Sequence, residues 1–556
     1  MKYILFLSSL ILLASCDVLD KTDLSAIPED KVWSDVSYAT AYVNKLCRDN
    51  LPGWDYDASC LSDEAAPRSK TEVMYGQLTS SSIDTWNYTN IRNINIFLES
   101  IESGGIDEET KNQLKGQVYF LRAWQYFGMV RQYGGVPIIE KPQSLSDDIY
   151  VARNKTSECI DFIVGDLDKA AAGLPWHWSN KDVGRITKAA ALAMKGRILL
   201  YYASPQFNPE KDMSRWEKAY EANKVAKDEL AKNGYALYAD YENFWFNEMS
   251  EEVVLAYRYQ EPDVTHNWEA ATRPLDDSQN ITGFNQPTLE MVESYPMING
   301  KPITDAGSGY NPDAYWENRD PRFKASIAYN GCLWELSGKT GRKQWTFVGA
   351  ENAAGSTGFY CRRAVNVSNT PYFADKGSTD WAEIRYAEVL LNYAECAAEL
   401  GKTMEAYDVL KQIRSRAGIL PGDNSMYGLE ENMNSSRMID AIMLERKIEF
   451  AFEGKRYWDL RRRRLFADEL NGTKRHGVYP ILKMNKEEFL AIESTVDLNK
   501  DYTTFFRDSI VELDKVFTID FKDNYYFYAL PLKHLETNSK LEQTQGWDNG
   551  TFNPYE

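Results

Sequence analysis

The chain has 556 residues and a net charge of -19 at neutral pH. That length supports a large core and by itself suggests about three to four domains, whereas the acidity leaves no basic footprint for nucleic acid. Aromatic residues make up 13% of the chain, and many fall in sequence that reads as loop.

The first residues read as an export signal. Lys2 supplies a short positive start, and Ile4 to Leu13 is an apolar run. That run is shorter than the roughly 20 residues of a membrane-spanning helix. It ends Leu13-Ala14-Ser15-Cys16, the pattern of a bacterial lipobox. Residues 1–15 are therefore expected to be removed, leaving Cys16 with acyl chains that insert in a bilayer. Residues 16–30 follow as a tether. No later run is long and apolar enough to span a membrane. The other six cysteines are too scattered to imply a disulfide framework.

Lys31 to Cys47 predicts a first helix. Leu51 to Ser82 is a long polar and aromatic loop holding Trp54, Tyr56, Arg68 and Tyr75, and loops of that length are usually functional or disordered. Asp84 to Ile101 predicts a second helix, with Trp86, Ile94 and Leu98 as packing residues. Asp107 is placed to cap a third, which runs to Tyr133 and stops at Gly134-Gly135. Lys155 to Ala172 and Thr187 to Tyr202 read as a helical pair. Met213 to Lys232 packs onto that pair, and Gly234 caps its end.

From Tyr235 to Phe373 glycine, proline, asparagine and aromatics dominate, with strand-like runs VVLAYRYQ and FKASIAY. After Thr379, Ile384, Ala387, Leu391, Ala394 and Ala398 recur at helical spacing. Gly401 turns the chain, and Ala406, Leu410, Ile413 and Ala417 face back. This is the logic of a tetratricopeptide hairpin. Ser436 to Leu465 predicts one long helix. Its Glu453 and Arg456 are spaced for an intrahelical pair, and Arg461 to Arg464 read as a solvated or carboxylate-paired face. Tyr525 to Trp547 reads as extended and then turn-rich. The expected fold is mostly α: helical hairpins over 31–234 and 379–556, bracketing an inserted loop-rich lobe with short strands over 235–378.

Enzyme signatures mostly fail. The four histidines, His177, His266, His476 and His534, make no zinc-protease spacing. Gly338-Lys339-Thr340 lacks the upstream glycine of a phosphate loop, since Leu333 stands there. Ala354-Gly355-Ser356-Thr357-Gly358 resembles a nucleophile elbow with Ala for the first Gly, but lacks its strand-to-helix setting. Asp497, Asn499, Asp501 and Asp508 have calcium-loop spacing, but Tyr502 occupies the position that needs glycine. Asp63-Glu64 is an acidic pair of the kind glycosidases use, which spacing alone does not separate from ordinary charge. No catalytic residue, cofactor or metal is expected.

The positive signal is aromatic. Trp54, Tyr56, Tyr75, Trp268, Phe284, Tyr310, Tyr315 and Trp316 all stand in loop-like sequence, with Arg68 and Asn285 as polar companions. A sugar ring has apolar C–H faces that lie against an aromatic plane while polar side chains fix its hydroxyls. The competing role for each ring is to pack irregular loops where regular core is missing.

Several strings together resemble the SusD/RagB family of Bacteroidetes surface lipoproteins. They are the lipobox at Cys16; Lys115-Gly116-Gln117 through Leu121-Arg122-Ala123-Trp124 to Tyr133-Gly134-Gly135-Val136-Pro137; Asn318 to Phe323; Ile384 to Glu388; Glu445-Arg446; Glu453 to Leu460; Leu530-Pro531; and Gln545-Gly546-Trp547. They run in family order over nearly the whole chain. The resemblance implies a tetratricopeptide-like scaffold carrying a ligand lobe. It implies a lipoprotein facing outward from the outer membrane, where it acts as the hinged lid of a SusC-like TonB-dependent transporter, holding oligosaccharide without breaking bonds. Starch binders of the family carry paired tryptophans after an Asp-Glu near Asp63-Glu64. Here Ala65-Ala66-Pro67-Arg68 follow, so the ligand stays open between oligosaccharide and peptide.

Overall fold

A computed structural model describes residues 29–69, 71–144, 146–350 and 355–556. The export signal and Cys16 lie outside the described residues. Ten main helices carry the scaffold: α1 (Val36–Asn50), α2 (Tyr88–Ser100), α3 (Glu108–Tyr133), α4 (Thr156–Gly173), α5 (Lys188–Ala203), α6 (Met213–Lys232), α7 (Tyr386–Glu399), α8 (Thr403–Ala417), α9 (Ser435–Glu449) and α10 (Arg456–Arg462). Their starts follow capping chemistry. Asp107 accepts the Thr110 amide, Thr187 that of Ala190 and Asp212 that of Ser214, each satisfying one orphan N–H of the first turn. Asp35 caps α1 in the same way, so the expected first helix breaks there into Glu29–Ser34 and α1.

The helices stack in chain order, α3 on α4, α4 on α5 and α5 on α6. The chain then leaves for the irregular lobe and returns, and α7 docks on α6 while packing α8 and α9 on its other sides. One joint fixes this return. Asn223 of α6 is buried and donates to the Gly196 carbonyl of α5 at 3.0 Å. A Cβ on Gly196 would sit 2.4 Å from the Asn223 Oδ1, so only glycine lets the two helices meet there. Ala394 and Ala406 are fully buried across the α7–α8 hairpin.

Two features of the returning segment differ from the sequence reading. Residues Trp381–Arg385 form a strand, β2, paired antiparallel with β1 (Val253–Tyr257). Ile384 faces Leu255 in that ladder rather than lying on the helix, which starts at Tyr386. The long helix also breaks between α9 and α10, where Phe452 and Gly454 take positive φ of 62° and 67°. Glu453 therefore reaches Arg385 and Arg363, and Arg456 pairs with Asp63 and Glu469. They make no intrahelical pair. The run FKASIAY folds mainly as a short helix, Pro321–Ser326, capped by Asp320.

The physical reason is a buried ion network. Arg385 binds Glu252, Glu449 and Glu453; Arg322 binds Asp320, Glu445 and Glu449; Arg416 binds Glu252 and Glu449; and Arg414 binds Glu445. These charges lie inside the protein, where they persist only because each finds partners. The network ties α8 and α9 to the start of β1, to β2 and to the Asp320 turn. Arg461 and Arg462 are also fully buried. Arg462 is held by Glu395 and Asp459, and Arg461 donates to the Tyr526 carbonyl, so the solvated half of that expectation does not hold for these two.

Two apolar cores result. One fills the helical stack and takes in Tyr525 to Leu530. The other is aromatic, gathering Trp54, Phe244, Trp245, Trp268, Tyr315, Trp316, Trp334 and Trp381. Val478 and Phe506, from the antiparallel strands β3 (His476–Leu482) and β4 (Phe506–Glu512), join the second core. All six cysteines among the described residues are free thiols.

Candidate functional site

Burial sorts the candidate rings. Trp268 has no exposed surface, Trp316 has 3% and Trp54 has 9%. Trp54 packs against Trp268 at 4.5 Å and Trp381 at 4.8 Å, and its indole N–H donates to the Thr379 carbonyl. The Trp268 indole N–H donates to the Arg363 carbonyl, and that of Trp316 to Asn499. Both faces of these rings are used, so Trp54, Trp268 and Trp316 are core residues of the lobe, as is Tyr315. They offer no platform to a ligand. The tryptophan cluster instead fixes the loop that carries Tyr56.

Tyr56, Arg68 and Phe284 meet at the surface. The Tyr56 and Phe284 rings stand edge to face at 5.0 Å, and the Arg68 guanidinium lies 3.5 Å from the Phe284 centroid. Both rings are half-buried and Arg68 is exposed. Backbone pairing brings these distant segments together. The Ala66 amide donates to the Gln286 carbonyl, the Thr288 amide to the Glu64 carbonyl, and Ala65 bridges Pro287. Gly283 has φ of +85°, and Arg68 Nη1 is 3.1 Å from where its Cβ would be. Asn285 is buried with φ of +47°, and neither polar atom of its carboxamide has a partner.

Tyr75 and Tyr310 stand on other contacts. The Tyr75 hydroxyl donates to Asp514 at 2.5 Å, and Asp514 holds Arg475. Arg475 donates to the carbonyls of Cys60, Ser62 and Ala65, so Tyr75 buttresses the loop behind Arg68. The half-buried Tyr310 lies 5.7 Å from the Arg319 guanidinium.

The acidic pair is structural. Asp63 is buried against Arg456 and Lys447, which outweigh its desolvation and hold its carboxyl well below the usual range. Burial pushes Glu64 up to about 8. It accepts the Phe452 amide at 3.1 Å and lies 3.2 Å from the Ser62 hydroxyl. Asp63 edges the large scaffold cleft with only 8% of its side chain exposed and both its cations bound to it, and Glu64 is fully enclosed. The calcium-like stretch folds as helix Leu498–Phe505, with Asp497 as its cap and Asp508 accepting from Tyr502. Ser356 donates to Gln286 rather than to any base.

Concavities lie on the scaffold. A cleft of about 940 Å³ opens between α6, α9 and α10, floored by Trp216, Ile439 and Met443. A second, of about 460 Å³, lies between the Asp84–Asn87 turn and α3 and is lined by Trp86, Trp124, Gln125 and Gln132. Trp86 also packs on the first core as expected, edge to face with Tyr133 at 5.6 Å.

Comparison with known proteins agrees with this architecture. The model of the SusD family matches residues 251–547, and a model described as starch-binding associating with outer membrane matches residues 57–200. The SusD-like protein P38 of Formosa agariphila is 24% identical over 480 residues, covering 82% of this chain and 90% of that protein. A SusD-like protein from Bacteroides fragilis superposes with a TM-score of 0.77 at 26% identity, covering 95% of this chain and all of that one. A SusD-like carbohydrate binding protein from the same species gives 0.73 at 22%, covering 92% and 100%; that likeness speaks to the fold alone. With over half the residues inside the family's own model and the helical stack matched end to end, this chain belongs to the SusD family.

Proposed function

We propose that the protein is a non-catalytic, lipid-anchored glycan-binding protein of the outer cell surface. It captures oligosaccharides at the Tyr56–Arg68–Phe284 rim and passes them to a TonB-dependent transporter on which it acts as a lid. The observation that carries this reading is the rim itself: two half-buried rings inclined at 71° with a guanidinium over the Phe284 ring. Such a surface sets half-exposed aromatic carbon beside a fan of guanidinium donors, the pairing a sugar ring needs. The outer-membrane and starch-binding description of the matching family model supports it. So does the state of the acidic pair, with Asp63 salt-bridged to Lys447 and Arg456 and Glu64 enclosed.

Exposed stacking gives shallow recognition of micromolar class, about 8 kcal/mol in all. Calorimetry with neutral glucan oligosaccharides tests it. Binding by the native protein that falls about tenfold in Phe284→Ala is the expected result. Silence across the glycans with binding of short peptides instead rejects the glycan reading, and sugar released from intact glycan rejects the non-catalytic one.

A further inference from the structure

Helix α3 has a face that the rim does not use. Trp124, Gln125, Gly128, Arg131 and Gln132 fall at i, i+1, i+4, i+7 and i+8, so they share one side of the helix. They line two clefts that share Trp124 as a lining residue. One is the 460 Å³ cleft beneath Trp86. The other, of about 170 Å³, runs between Trp124, Trp381 and Trp458.

Two observations mark this face as a ligand site. The first is Gly128. A Cβ there would meet nothing within 4 Å. A glycine inside a helix is unfavourable relative to alanine, and no neighbour in the fold requires it. It leaves open the floor of the cleft one turn from Trp124 and one turn from Gln132.

The second is Arg131. Its guanidinium lies 3.7 Å from the Trp458 centroid. Its Nε is buried without a hydrogen-bond partner, and no carboxylate among the described residues forms an ion pair with it. The other charges of the small cleft are already matched. Arg197 holds Glu383 and Glu388, Lys455 holds Glu388, and Arg446 holds Asp459. Glu453 is taken by Arg363 and Arg385. Asp55, exposed at the rim of this cleft, accepts from its own loop at Asp57. Arg131 is therefore the one cation lining this cleft that has no salt bridge among the described residues, and burial holds its pKa below the ordinary arginine value. An arginine desolvated in this way binds a carboxylate strongly, through charge-assisted N–H donors in a planar fork.

We propose that this face of α3 is a second saccharide site, selective for acidic glycans, with a uronate carboxylate on Arg131 and neighbouring sugar rings along Trp124 and Trp86. The positions of Trp124 and Arg131 are about 10 Å apart along the helix axis, so an oligomer rather than a single ring spans them. The sugar part of the inference rests on the glycan-binding reading; the anion part rests on Arg131 alone.

Calorimetry of the protein with tetramers of galacturonate, glucuronate and mannuronate, beside a neutral glucan tetramer, tests it. At least one oligouronate is expected to bind at low salt and to weaken as salt screens the ion pair. Arg131→Gln should cut that affinity at least tenfold. Gly128→Met should cut it as far while the melting temperature holds or rises, because the new side chain enters open space. Phe284→Ala should leave it unchanged and weaken only the neutral glucan. Failure of all three oligouronates to bind, or binding that survives both Arg131→Gln and Gly128→Met, overturns the proposal. Loss of the neutral glucan signal alone would strike the rim and leave this site standing.

Discussion

In α3, Trp124, Gly128 and Gln132 lie on one side because the helix repeats every 3.6 residues. In the lobe, Trp268 is fully enclosed while Phe284, from the same irregular stretch, stays half exposed. Residue type is the same kind of evidence in both regions, yet only the first supplies a rule for direction. The lobe obtains its geometry from long-range partners instead, namely the buried ions and the pairing of residues 64–66 with 286–288.

That contrast can be broken most forcefully at the ions. Arg385→Met should leave Glu252, Glu449 and Glu453 enclosed without their shared cation. Removing one partner of a buried pair costs about 3–5 kcal/mol, and here three carboxylates lose it. Denaturant unfolding should show a loss at the top of that range, with the lobe aromatics becoming exposed. Trp268→Ala comes close behind. Emptying a fully buried tryptophan site costs about 3–5 kcal/mol, so it should lower the unfolding midpoint sharply. Phe284→Ala should hardly move the midpoint while weakening glycan binding by about tenfold, roughly the 1.4 kcal/mol that a factor of ten represents. If the two variants exchange effects, burial has been assigned to the wrong ring.

Much of the scaffold was legible. Asp107, Thr187 and Met213–Lys232 carry local signals of capping and spacing, and the structure keeps them. The turn at Gly401 has a positive φ of 75°, as a glycine at that point requires. What escaped was non-local. Ile384 has helical spacing with its followers, but Arg385 is drawn into an extended strand by three distant glutamates. Glu453 and Arg456 are spaced for each other and bind other partners. At the site, Tyr56, Arg68 and Phe284 were named one by one, but their meeting depends on pairing between segments as much as 225 residues apart in sequence. Trp54, Trp268 and Trp316 carried the same loop signature and lie in the core, because ring exposure in irregular backbone has no period to read.

Glu64 sharpens the comparison through pH. Its folded pKa of about 8 lies above its ordinary 4.5, so the folded state binds the extra proton between those values. The stability it contributes is complete at the acid end of that window and is lost as pH rises toward 8, by up to about 1.4 kcal/mol per unit. Glu64→Gln keeps the shape and removes the titration. Subtracting its stability profile from that of the native protein should leave a decline confined to roughly pH 4.5 to 8. A flat difference would place Glu64 in contact with solvent or a compensating cation.

The smallest effect is the most discriminating, because one substitution should change sign between two helices. Gly128→Ala places a methyl group in open space on α3 and replaces a poor helix former by the best one, a gain of up to about 1 kcal/mol. Gly196→Ala on α5 meets the Asn223 Oδ1 at 2.4 Å and disturbs the joint between α5, α6 and α7. It should destabilise despite the same helical gain, by about 1–3 kcal/mol as other overpacked sites do. Thermal unfolding of the pair is the measurement. A stabilised Gly128→Ala beside a destabilised Gly196→Ala means that the first glycine is kept for space that the fold itself does not fill.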